Sequence, residues 1–146
     1  MATYGCATRT NYFRVKDEET FRDLMARVNS EDCSVWEKNN DSGQKFFGFG
    51  GYGSINGVRP KGSNDDDYDE DCGYEIDAFL NELAECVADD DAVLLFEAGH
   101  EKLRYVTGFV YVVTSKDVKC IDLKYAGKDL AKSMLGNPNW ETNCCY

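Results

Sequence analysis

The 146-residue sequence predicts a single α+β domain in which two helices cover one face of an antiparallel or mixed sheet. Three observations carry that reading. Apolar residues recur at helical spacing in two separate windows, near residues 21–28 and 76–87. Short runs of β-branched and aromatic residues, bounded by turn signals, stand before, between and after those windows. A hydrophobic content of 42% with 13% aromatics belongs to a chain that buries a core.

In chain order, residues 12–15 (Tyr-Phe-Arg-Val) read as a first strand. Asp17 is placed to cap a helix, with Glu18 and Glu19 in its first turn, where the helix dipole favours acids. Phe21, Leu24, Met25 and Val28 form its apolar face, and Glu18–Arg22 and Asp23–Arg27 are i, i+4 pairs on its wet side. Residues 33–36 and 45–49 read as a hairpin around a turn at 38–43. Residues 50–72, glycine-rich and then acidic, are expected to form one flexible loop. Ile76, Phe79, Leu80, Leu83 and Val87 predict a second helix. Residues 92–96 are continuously apolar, as in a strand central to a sheet. Ala98-Gly99-His100 reads as a turn, 103–113 as a long strand, Ser115-Lys116-Asp117 as a turn and 118–123 as a last strand. A third helix is expected over 127–135, with Gly136 at its C-cap and Pro138 blocking continuation. The first six elements, β-α-β-β-α-β, have the split βαβ order of ferredoxin-like folds, here extended by a β-hairpin meander and a C-terminal helix.

Charge is the strongest signal about function. The chain has 27 acids and 16 bases, net −11, and residues 64–91 hold thirteen of those acids with no Lys or Arg. Without that stretch, 14 acids face 16 bases. The acids divide between the loop (Asp65, Asp66, Asp67, Asp69, Glu70, Asp71) and the second helix (Glu75, Asp77, Glu82, Glu85). Such a surface repels nucleic-acid backbone and anionic membrane and attracts a basic protein surface. Duplex DNA carries one charge per ~1.7 Å of axis, and a helix rises ~1.5 Å per residue. These ten acids are therefore the expected contact set for a partner whose Lys- and Arg-rich groove ordinarily binds DNA.

No cofactor, metal or catalytic group is expected. The EF-hand loop laid on Asp67, Asp69 and Asp71 puts Cys72 where glycine is required and Ala78 where the bidentate Glu is required. His100, the single histidine, has only Glu97 and Glu101 near it in sequence, a weak metal pattern, and no cysteine is nominated as its partner. Gly48-Phe49-Gly50-Gly51-Tyr52-Gly53 matches G-x-G-x-x-G, but an acidic stretch follows it instead of the helix a dinucleotide needs. The seven cysteines include no Cys-x-x-Cys spacing. With no signal-peptide pattern at the start and no apolar run of ~20 residues, reduced thiols and a cytoplasmic location are expected. Cys144 and Cys145 read as part of a mobile C-terminus.

Lys45-Phe46-Phe47-Gly48-Phe49-Gly50-Gly51-Tyr52 resembles the third-strand motif of the RNA recognition motif family at Lys45, Phe47, Gly48, Phe49 and Tyr52; Phe46 and Gly50 depart from it. The resemblance implies single-stranded nucleic-acid binding through a sheet face, with Phe47 and Phe49 stacking on bases and Lys45 and Tyr52 beside them. The chain's charge opposes it. Two further segments, residues 7–17 and 97–108, resemble small uncharacterised acidic proteins encoded on bacterial phages, plasmids and conjugative elements. That second resemblance implies a genomic setting in which anti-restriction and anti-CRISPR inhibitors occur.

Overall fold

The computed structural model describes residues 4–30, 32–62 and 75–144. Among them the elements run β1 (Gly5–Thr10), α1 (Glu18–Ala26), β2 (Val28–Ser30), β3 (Ser34–Asn39), β4 (Lys45–Tyr52), β5 (Ile55–Val58), α2 (Ile76–Cys86), β6 (Val93–Glu101), β7 (Tyr105–Val113), β8 (Val118–Asp122) and α3 (Leu123–Leu135). The fold is α+β. Six strands form an antiparallel sheet in the order β3-β4-β1-β6-β7-β8, and β2 pairs with β5 apart from it.

The first strand lies earlier than the pattern suggested. Residues 12–15 supply only single bridges, Phe13 to Phe47 and Val15 to Val87. Asn11 sets the boundary. Its side-chain oxygen accepts from the Leu94 N–H at 2.8 Å and its Nδ2 donates to the Ala92 carbonyl at 3.0 Å, so an amide side chain takes over from the ladder. The inward residues of β1 include Thr8 and Thr10, both buried. Thr10 Oγ1 accepts from the Phe49 N–H at 3.0 Å, and Thr8 Oγ1 donates to the Gly53 carbonyl at 2.8 Å. A strand lined inwardly by satisfied threonines shows no apolar alternation.

Helix α1 begins as expected, Asp17 accepting from the Thr20 N–H, and buries Phe21, Leu24 and Met25. Val28 leaves the helix for β2. The expected loop at 50–72 is shorter: β4 runs on to Tyr52, and Ile55–Val58 forms β5. Its glycines answer a close approach of backbones. A Cβ on Gly50 would lie 2.3 Å from the Thr8 carbonyl oxygen, and one on Gly51 would lie 2.1 Å from that of Asp32. Ala98-Gly99-His100 is likewise strand, paired with β1 on one side and β7 on the other. The turn comes later, at Lys102, with φ 49°. Strand β6 is central, as its apolar run implied. Helix α3 starts at Leu123, four residues before the expected position, capped by Asp122, and Gly136 closes it at φ 63°.

Five phenylalanines make the centre of the core. Phe13, Phe21, Phe47, Phe49 and Phe79 are all 0–1% exposed. Phe49 meets Phe13 at 6.1 Å, Phe21 at 6.4 Å and Phe79 at 5.9 Å, and Phe21 meets Phe47 at 5.0 Å. One ring on β4 thus touches a ring from each main helix, and both helices are held on the same face of the sheet. Leu80, Leu83 and Cys86 of α2 and Val93, Leu95 and Val113 of β6 and β7 extend the cluster.

An ion pair ties the two helices at their ends. Arg27, the C-cap of α1, is 3% exposed. Its guanidinium donates to both oxygens of Glu82 on α2 at 2.9 and 3.1 Å, to Asp23 at 3.1 Å and to the Arg59 carbonyl at 2.7 Å. Removing Glu82 leaves the buried guanidinium with Asp23 as its one carboxylate partner among the described residues, at a cost of up to about 3–5 kcal/mol. We expect Glu82→Ala to lower the melting temperature by roughly 10 °C, at a few degrees per kcal/mol for a chain of this size. Glu85→Gln, one turn away at an exposed position, shifts it by no more than about 2 °C. Thermal unfolding followed by circular dichroism checks both, and equal effects would show that the Arg27–Glu82 pair has no special weight.

Candidate interaction surfaces

Of the ten acids expected to meet a partner, Asp65, Asp66, Asp67, Asp69, Glu70 and Asp71 lie outside the described residues. The four helix acids do not share one role. Glu75 is the exposed N-cap of α2, and Asp77 is exposed in its first turn. Glu85 is exposed and lies 3.6 Å from Lys61. Glu82 is turned toward the body of the protein by Arg27, so three of the four acids face solvent.

Elsewhere in the acidic half, base and acid are paired. Arg14 reaches Asp90 at 2.9 Å and Asp91 at 3.5 Å, and Lys16 reaches Asp89 at 3.1 Å. Arg22 and Lys45 both bridge Glu18 and Glu37. Hydrogen bonds from these bases hold Asp89 and Glu18 below the ordinary carboxylate range: Lys16 does so for Asp89, and Arg22 and then Lys45 for Glu18. Asp17, bonded by Thr20, and Glu141, bonded by Lys128, are lowered in the same way.

The residues that resemble an RNA-binding motif are divided by the sheet. Phe47 and Phe49 point to the helices and are buried, so neither ring offers a face to a base. Gly48, between them, lies on the opposite side and packs under the Tyr12 ring. Lys45 is held by Glu18 and Glu37. Only Tyr52, 80% exposed, is free of the core. The aromatics on the helix-free face are others: Arg9 stacks over Trp36 at 5.4 Å and Lys38 over Tyr12 at 5.5 Å.

His100 is exposed on β6, beside an open depression of about 680 Å³ bordered by Gly99, Lys102, Leu103 and Val106. Glu97 and Glu101 sit an odd number of residues from His100, so strand alternation places both on the other face. Glu97 accepts from the Tyr4 hydroxyl at 3.2 Å. Among the described residues no three His, Cys, Asp or Glu side chains converge as metal ligands, and no helix is long and apolar enough to cross a membrane.

The surface that sequence reasoning missed is apolar. On the helix-free side of β6, β7 and β8, Phe96 is 48% exposed, Val106 71% and Ile121 52%. Ala98 and Gly108 leave a shallow trough of about 180 Å³ between Phe96, Val110, Ile121 and Leu123. Helix α3 adds to it, because none of its side chains is buried. Leu123, Leu130 and Met134 recur with Ala126 at helical spacing, and the three larger side chains are 62–79% exposed. The opposite side of α3 is covered by the chain's own tail, with Lys128 bonded to Glu141 at 2.6 Å. The spacing of those residues was visible in the sequence; their exposure in the fold was not.

No family model, curated protein or solved structure matches the chain.

Among the cysteines, Cys86 is buried in the core, and desolvation followed by the charges of Glu82 and Glu85 pushes its thiol up to about 11. The folded state therefore keeps a proton that the unfolded chain releases near pH 9. This contribution to stability is complete below pH 9 and declines as pH rises from about 9 to 11. At pH 8 iodoacetamide should alkylate the exposed Cys120 while sparing Cys86, and Cys86 should react only in denaturant. Peptide mass mapping decides it: alkylated Cys86 in native protein would show that the α2 face opens readily.

Proposed function

We propose that this chain is a non-enzymatic protein-binding module that turns an acidic half toward a basic protein surface. The carrying observation is the segregation of charge. Residues 1–91 hold 21 acids and 9 bases, whereas residues 92–146 hold six and seven. The structure pairs most of the N-terminal bases internally, and Glu75 and Asp77 remain exposed at the start of α2, where their position is fixed by the buried Phe79, Leu80 and Leu83. The carboxylates whose proton affinity is displaced are displaced downward by donors, the opposite of what a general acid requires. This supports binding over catalysis.

The resemblance to acidic proteins of bacterial mobile elements narrows the proposed partner to a host DNA-binding defence enzyme, whose Lys- and Arg-lined groove accepts a DNA-like charge pattern. In that role Glu75, Asp77 and Glu85 form the fixed contacts, and Asp65, Asp66, Asp67, Asp69, Glu70 and Asp71 add long-range attraction. We also read β1-α1-β3-β4-α2-β6 as a split βαβ core of the ferredoxin-like kind. The strand order β3-β4-β1-β6 and the phenylalanine cluster shared by both helices support it. Base stacking through Phe47 and Phe49 finds no support in their burial.

The test is capture from a nuclease-treated bacterial lysate on immobilised full-length chain. A DNA-binding enzyme should be retained, displaced by duplex DNA and released as salt screens the contact. The triple variant Glu75→Gln, Asp77→Asn, Glu85→Gln should dissociate about tenfold faster, while neutralising the loop acids at 65–71 should mainly slow association. Capture that DNA does not displace, and that the triple variant leaves unchanged, would end this reading.

A further inference from the structure

The apolar surface at the C-terminal end is not accounted for by an acidic binding half. We propose that it is a self-association surface: α3 of one copy docks its apolar stripe on the helix-free face of β6, β7 and β8 of a second copy, and the exchange is reciprocal. Three observations on different features favour a second copy as the occupant.

The first is complementarity of shape. Helix α3 has thirteen residues and so is ~20 Å long. Four strands spaced ~4.8 Å apart span a comparable width, and β1, β6, β7 and β8 are adjacent in that order. Ala98 and Gly108 keep this part of the face low, and Phe96, Val110 and Ile121 stand in one row along a single side of it. Leu123 lies over Gly108 of its own sheet and closes one end of the low strip, so the part of the stripe free to seat on a second copy's face is Ala126, Leu130 and Met134.

The second is area. Phe96, Val106, Ile121, Leu123, Leu130 and Met134 are each about half to four-fifths exposed. At roughly 100 Å² apiece they offer about 600 Å² of apolar surface. That is the upper end of what a monomer leaves bare, ~300–600 Å². With a polar rim it reaches the ~800 Å² per partner of a standard interface.

The third is charge. A chain of net −11 repels its copies everywhere except where the excess is absent. From residue 122 to 144 there are three acids, Asp122, Asp129 and Glu141, and three bases, Lys124, Lys128 and Lys132, so the arm is neutral. An anionic lipid surface is the other occupant an amphipathic helix could take. It would meet a strongly negative protein whose Lys128 is already engaged by Glu141. A second copy meets neither obstacle.

Analytical ultracentrifugation of the full chain tests the proposal. The expected species is a dimer, twice the 16.5 kDa chain mass. Leu130→Asp with Met134→Asp, on exposed positions of α3, should raise the dimer dissociation constant at least a hundredfold, and Ile121→Asp on the sheet should do the same. Circular dichroism should show both variants folded as the wild type is. Mixed in equal amounts, the helix variant and the sheet variant should recover a heterodimer through the one intact contact. A wild-type chain that stays monomeric at about 100 µM would overturn the proposal, as would dimers indifferent to both variants. A wild type that dimerises while the mixed variants do not would show that α3 does not dock on the partner's sheet. Binding of monomer to phosphatidylglycerol vesicles, abolished by the helix variant, would assign the surface to lipid instead.

Discussion

The Phe49 ring is the constraint on which the arrangement depends. It stands on β4 and touches rings from α1, from α2 and from the segment joining β1 to α1. Aromatic rings bury ~150–250 Å² each and favour edge-to-face contact, which is the geometry of three of the five contacts within the cluster. Once Phe21 and Phe79 converge on one ring, neither helix can sit on the other face. Strand alternation then sends Gly48 and Gly50 to that other side. Five phenylalanines are thus committed to a single layer, and neither α1 nor α2 covers the far side of the sheet.

The same commitment explains how an acidic chain tolerates its charge. Bases of the N-terminal part are spent at the seams between elements. Arg27 joins α1 to α2, Arg22 and Lys45 join α1 to β3 and β4, and Arg14 and Lys16 join the link before α1 to the turn after α2. Exposed pairs of this sort contribute little each, but they consume positive charge locally. What is left over is negative, and among the described residues Glu75 and Asp77 stand at the N-terminal end of α2, where the helix dipole favours acids. Glu82 shows that sequence spacing alone does not decide which acids stay available: it is on the same helix as Glu85 and has the opposite fate.

Much of the core was legible because its signals are local. Asp17 as a cap, the face of Phe21, Leu24 and Met25, and the face of Phe79, Leu80 and Leu83 follow from periodicity and hold. So do the β3–β4 hairpin and Gly136 at the end of α3. The misreadings share one cause. Gly50, Gly51 and Gly99 were read as loop or turn glycines, yet each sits in a strand where a Cβ would strike neighbouring backbone. Thr8 and Thr10 hid β1 because their hydroxyls are satisfied by partners 45 and 39 residues away. Phe47 and Phe49 fit a stacking motif, but which face of a strand is covered is a property of the whole sheet. Each of these outcomes is set by contacts distant in sequence, which a local pattern does not contain.

The acidic helix and the apolar patch lie on opposite faces of one sheet, and this links the two proposed surfaces. Electrostatic repulsion between copies falls off over a Debye length, ~8 Å at physiological salt. Association through a neutral arm leaves the sheet between the contact and the acids at the start of α2. The acids at the start of α2 would then lie outside the contact and remain open to a basic partner. An arrangement with the polarity reversed, apolar surface within the acidic half, would set the same burial against unscreened like charges. The neutral arm and the acidic helix are therefore compatible uses of one chain because α2 lies on the helix-covered face of the sheet and the proposed contact is on the other.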